Sequence, residues 1–150
     1  MSHDLYEWHR RIKDVERQHS VIRLAITRLA SSAKPDPTVL TGGLTFRDIG
    51  HASDRLEGTY IIRLFAEFET GLRLFWPTAR GTDAPSRTRD LLDGVAATRR
   101  IPNDELLKAH AVREYRNLLV HEIEEEMVPI SIAEARGHLC RYFNFLPPSW

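Results

Sequence analysis

Within Arg116-Asn117-Leu118-Leu119-Val120-His121 a permanent cation, an amide and a titratable imidazole fall inside two turns of one expected helix. Arginine clamps phosphate through its planar fork, and histidine moves a proton near neutral pH. Together they are enough to cut RNA without a metal. At about 100° per residue, Leu118, Ala111, Tyr115, Leu119, Val112 and Ile123 fill the apolar face, and Arg116 stands at its rim. His110, Asn117 and His121 cluster on the polar side with Arg113 beside them, and Arg113, Asn117 and His121 form an i, i+4, i+8 row. Arg116 and His121 lie about 140° apart, so one straight helix does not aim both at one atom. The arginine's length covers part of that gap, and a two-fold-related copy of the helix would close the rest. Val120, an apolar residue among these polar groups, is what such an interface would bury.

Heptad-like spacing of Trp8, Ile12, Val15, His19, Ile22, Ile26 and Leu29 predicts a first helix from Asp4 to Ala33, ended by Pro35-Asp36-Pro37. Asp48 is expected to cap a second long helix whose stripe runs through Tyr60, Leu64, Phe68, Leu72 and Phe75, with Pro77 stopping it after Trp76. A shorter helix is expected from Ser86 to Arg99. Asn103 is expected to cap the motif helix, which runs to about Glu125, and Ser131 to cap the last one. The segment around Gly42-Gly43 reads as loop, and the tail from Leu146 to Trp150 as extended. With no alternating strand pattern, the fold class is all-α: one domain, 1–150, of four to five helices in an antiparallel bundle around the two long ones. Glu67 lies at the margin of the second helix's apolar face. It is expected to pair with Arg63, the alternatives being to hold Arg116 or to fix the tautomer of His121. Glu69 and Arg73 read as an i, i+4 pair on a solvated face.

Composition excludes several other chemistries. The 150 residues carry 21 basic and 21 acidic side chains, so no global positive field advertises a nucleic-acid partner. Lys13, Lys34 and Lys108 are the only lysines, and every other cation is arginine. Nothing resembles a signal peptide or a bilayer-spanning run. Cys140 stands alone, which rules out an internal disulfide and suits a reducing compartment, so the expected location is the cytoplasm. His121-Glu122 begins like a zinc-protease helix, but Glu125 stands where the second histidine belongs. The other histidines show no ligand spacing, there is no phosphate-binding loop and no serine-nucleophile elbow, and no metal or cofactor is expected.

Arg116-Asn117-x-x-x-His121 in the penultimate helix of a small all-α chain resembles the HEPN superfamily (higher eukaryotes and prokaryotes nucleotide-binding), and Phe68 to Arg73 looks like that family's second helix. The resemblance covers most of the chain in architecture but only six residues in specific motif. It implies metal-independent endoribonucleolysis by a homodimer whose two motifs meet in one cleft, and a toxin or defence role with an antitoxin protein as a candidate partner. Arg116 would bind the scissile phosphate, His121 would act as general base or acid, and Asn117 would orient either; Glu67, Arg113 and His110 would support them. Members silenced by a nucleotidyltransferase antitoxin often carry tyrosine two positions after the histidine. Here that position is Ile123, which argues against this mode of control. The rival readings are a non-catalytic HEPN-like module that binds nucleotides, RNA or a protein, and a purely structural helical dimerisation domain.

Overall fold

A computed structural model describes residues 2–122 and 128–150. The architecture is all-α, with five helices and no strand among the described residues: α1 Leu5–Ala33, α2 Phe46–Arg80, α3 Thr88–Arg99, α4 Asn103–His121 and α5 Ile132–Phe143. None of these is long and apolar enough to cross a membrane.

Asp4 starts α1, its carboxylate accepting the Tyr6 N–H at 2.9 Å. Trp8, Ile12, Val15 and His19 are buried, as their spacing requires, but Ile22 and Leu29 on the same stripe are 39% and 41% exposed. The periodicity marks an apolar face correctly; the bundle ends before the helix does. After a single 3₁₀ turn, Pro37–Val39, the chain enters α2 through a capping box. Thr45, not Asp48, is the N-cap: the Thr45 hydroxyl accepts the Asp48 N–H, and the Asp48 carboxylate accepts the Thr45 N–H at 2.7 Å. Nor does Pro77 end α2. Its ring removes one backbone donor close to the helix terminus, and the last turn continues to Gly81, whose left-handed φ of 66° lets its N–H close back on the Pro77 carbonyl.

Phe68 is the centre of the core. Its ring lies 5.0 Å from Phe143, 5.4 Å from Tyr142 and 5.6 Å from Phe65. The buried Tyr142 hydroxyl donates to the Leu92 carbonyl at 2.7 Å, which ties α5 to α3, and burial raises its pKa far above the ordinary phenol range. Gly71 makes the three-helix junction possible, since a Cβ there would stand 2.8 Å from Phe143 and 3.1 Å from Trp8. The expected extended tail is pinned to the chain start: His3 and Trp150 exchange backbone hydrogen bonds, and Trp150 packs edge-on against Phe75.

The motif helix buries little, with Ala109 and Val112 fully inside and Leu106, Tyr115 and Leu119 partly so. It closes on α2 over Gly58, where an added Cβ would lie 3.0 Å from Leu119. Two of its expected limits change. Pro102, with an extended backbone, takes the N-cap position, so Asn103 is the first helical residue and its side chain caps nothing. The helix ends at His121 rather than near Glu125, because Glu122 turns left-handed at φ 51° and returns its N–H to Leu118. A run of carboxylates opposes the negative end of the helix dipole, which favours the earlier stop. Ile123 and the acidic residues Glu124, Glu125 and Glu126 lie outside the described residues.

Candidate functional site

Arg116 leaves α4 on the rim that faces α2. Its guanidinium stacks 4.8 Å above the centre of the Phe65 ring and donates to Glu69 Oε2 at 3.3 Å. The other Glu69 oxygen accepts from Arg73 at 2.7 and 3.0 Å and from the Thr88 hydroxyl at 2.9 Å. Arg73 is held in turn by the carbonyls of Pro85, at 2.7 Å, and Ser86, at 3.1 Å. One carboxylate therefore serves two guanidinium groups, and the cluster keeps a net positive charge. Arg116 and Glu69 are each about one-fifth exposed, so the arginine is braced yet still reachable from solvent. A cation stacked on a ring and anchored by one carboxylate oxygen presents its remaining N–H groups in a fixed orientation, which suits phosphate recognition.

Glu67 does none of this. It faces α1, with one oxygen 3.9 Å from Arg11, and it pairs with neither Arg63 nor Arg116. Glu67 and Glu69 flank Phe68 at about 100° on either side, so they occupy opposite rims of α2. The apolar pattern of α2 does not say which rim α4 will cover. The usable signal is the Glu69–Arg73 spacing; it reads as a solvated pair because Pro85 and Ser86 before α3 and Thr88 at its start are remote in sequence.

His110 and Arg113 are occupied elsewhere. His110 Nε2 lies 2.6 Å from Asp93 on α3, and Arg113 donates to His110 Nδ1 at 3.2 Å and to Glu114 at 3.3 Å. Since arginine can only donate, this network assigns the ring proton to Nε2, pointing at Asp93. Both ring nitrogens are engaged, so His110 locks α4 to α3 and has no lone pair to spare for a substrate. Asn117 is half-buried and His121 exposed at the last position of α4, and among the described residues neither makes a side-chain hydrogen bond. Arg116 and His121 are not brought together within one chain: the first reaches across to α2, and the second lies at the exposed helix end. Exposed Glu122, next to His121, pairs with Arg55 of α2 at 3.3 Å. Val120 is 46% exposed between Asn117 and His121.

Burial disarms two other groups of reactive type. Tyr115 is half-buried, and burial together with nearby Glu57 raises its phenol pKa. Burial likewise pushes the Cys140 thiol up, away from the reactive thiolate. Among the described residues no three His, Cys, Asp or Glu side chains gather closely enough to hold a metal ion.

The Glu69 cluster makes a direct prediction. Glu69→Ala leaves Arg73, Arg116 and Thr88 without their shared acceptor and should lower unfolding stability by about 1–3 kcal/mol. Urea denaturation measures it, and an unchanged midpoint would mean that the cluster does not hold α4 in place. Compared with family models, curated proteins and solved structures, the chain has no match.

Proposed function

We propose that this chain is a metal-independent endoribonuclease of the HEPN type, acting as a homodimer. The observation that carries the proposal is the division of labour along α4: Arg116 braced by Phe65 and Glu69, Asn117 making no side-chain hydrogen bond among the described residues, and His121 exposed one and a half turns further on from Arg116. In this reading the ribose 2′-hydroxyl attacks the adjacent phosphorus, and His121 takes its proton. The P–O5′ bond breaks, and the leaving oxygen takes a proton from the His121 of the second copy. Arg116 stabilises the charge that builds on the phosphoryl oxygens. The products are a 2′,3′-cyclic phosphate and a free 5′-hydroxyl. A metal has no part in this sequence of steps, so cleavage should be insensitive to EDTA, and end-group analysis of the fragments tests the chemistry. Inhibition by EDTA, or 5′-phosphate ends, would refute it.

The dimer follows from the separation of Arg116 and His121, with Val120 as the apolar contact at its centre. Val120→Glu should shift sedimentation toward monomer by placing like charges face to face across the two-fold axis. A dimer that persists unchanged would locate the interface elsewhere. The toxin or defence role and an antitoxin partner follow from the family resemblance alone. A second reading, a non-catalytic module that binds RNA, nucleotides or a protein, has one observation in its favour: no described side chain orients the His121 ring. Retention of RNA without cleavage would select it.

A further inference from the structure

Tyr6, Arg10, Lys13 and Arg17 recur at i, i+4, i+7 and i+11 along α1, on the side turned away from the buried Trp8, Ile12 and Val15. They line a groove of about 620 Å³ that Asn144, just past α5, closes on one side. The ion pairs that α1 makes are Arg11 with Glu7 and Glu67, and Glu16 with Arg136. Arg10, Lys13 and Arg17 take part in none among the described residues. This contrasts with the braced arginines Arg73, Arg113 and Arg116. Asp14 is the one carboxylate lining the groove, burial with the neighbouring Lys13 lowers the pKa of His9, and Arg10, Lys13 and Arg17 outnumber the single acid. A second depression continues from Asp14 and Arg17 to Tyr60 on α2.

Three cations outside any ion pair among the described residues, with Asp14 as the one carboxylate lining their groove, form a local positive field on the flank of a chain with no net charge. From Arg10 to Arg17 they span about 10 Å along the helix, comparable with a few successive phosphates of one strand. Tyr6 is 75% exposed at the groove's end, and that exposure offers a ring face on which a base can stack. We propose that this groove binds single-stranded RNA, with phosphates on Arg10, Lys13 and Arg17 and a base on Tyr6. The choice of RNA rests on the ribonuclease reading; the charge and the aromatic platform do not. The groove and Arg116 lie on different flanks of the bundle, α1 covering one rim of α2 and α4 the other. It therefore sets affinity rather than chemistry.

The test uses the full chain carrying His121→Ala, so that the RNA stays intact, and reads fluorescence anisotropy of a labelled twelve-nucleotide oligouridine. Adding Arg10→Ala, Lys13→Ala and Arg17→Ala should weaken binding by roughly tenfold or more and reduce the salt slope by about two, with an unchanged melting temperature because all three side chains are exposed. Tyr6→Ala should weaken binding with no change in salt slope. Equal binding by parent and triple variant, or no binding by the parent, would overturn the proposal. So would displacement of the RNA by polyglutamate at matching concentration, which would make the groove a site for acidic proteins. A wild-type protein that binds through these residues but never cuts would sink the ribonuclease reading and leave the groove standing.

Discussion

His121→Ala is expected to slow RNA cleavage by about 10²–10⁴-fold, the usual contribution of a positioned acid or base, without loosening the fold. The side chain is exposed at the final position of α4 and has no hydrogen-bond partner among the described residues, so removing it opens no cavity and strands no buried polar group. His110→Ala is the informative control. It deletes the ring that joins Asp93 to Arg113, so it should cost stability, about 1–2 kcal/mol, while cleavage by the folded fraction stays near wild type. The pair separates a histidine that moves protons from one that holds helices together. A His121→Ala protein that cuts at the wild-type rate would remove the residue from the mechanism. One that unfolds would contradict its placement off the core.

Phe68→Ala should cost about 3–5 kcal/mol, a large share of the roughly 5–15 kcal/mol that keeps a domain of this size folded. The ring is fully buried and packs against Phe65, Tyr142 and Phe143 together. Truncation leaves a void that α2 and α5 cannot both collapse into, because Gly71 already sets their closest approach. Urea denaturation should show the midpoint fall with the slope unchanged. Phe68→Leu, which fills most of the volume, should lose roughly 1–2 kcal/mol. A loss below about 1 kcal/mol for the alanine variant would mean that the core is organised around another residue.

What the sequence conveys of the fold is which faces are apolar; what covers them is harder to read. The helix start at Asp4, the buried run from Trp8 to His19 and the Ser131 cap are readable because each is decided by residues within one or two turns. Ile22 and Leu29 continue the same stripe and are exposed, since periodicity carries no information about where the neighbouring helices stop. Pro77 does not end α2: it forfeits one backbone donor to the preceding turn, and the helix runs on to Arg80, where left-handed Gly81 closes it.

The same distinction runs through the candidate site. The rim position of Arg116 and its angular separation from His121 follow from helix geometry alone. Its brace does not: Glu69 rather than Glu67 reaches α4, and that choice depends on which flank of α2 the later helix covers. His110 and Arg113 share a face with Asn117, but their true partner, Asp93, lies on a helix whose register against α4 no local pattern reveals. Residues in one row can therefore have unrelated duties.

Whether Arg116 and His121 cut RNA without a metal is tested by incubating a mixed RNA pool with EDTA, wild type beside Arg116→Ala. Wild type should yield fragments ending in 2′,3′-cyclic phosphate, and Arg116→Ala, still melting cooperatively, should leave the RNA intact. Equal cleavage by the two proteins, or activity that only added divalent metal restores, would contradict it.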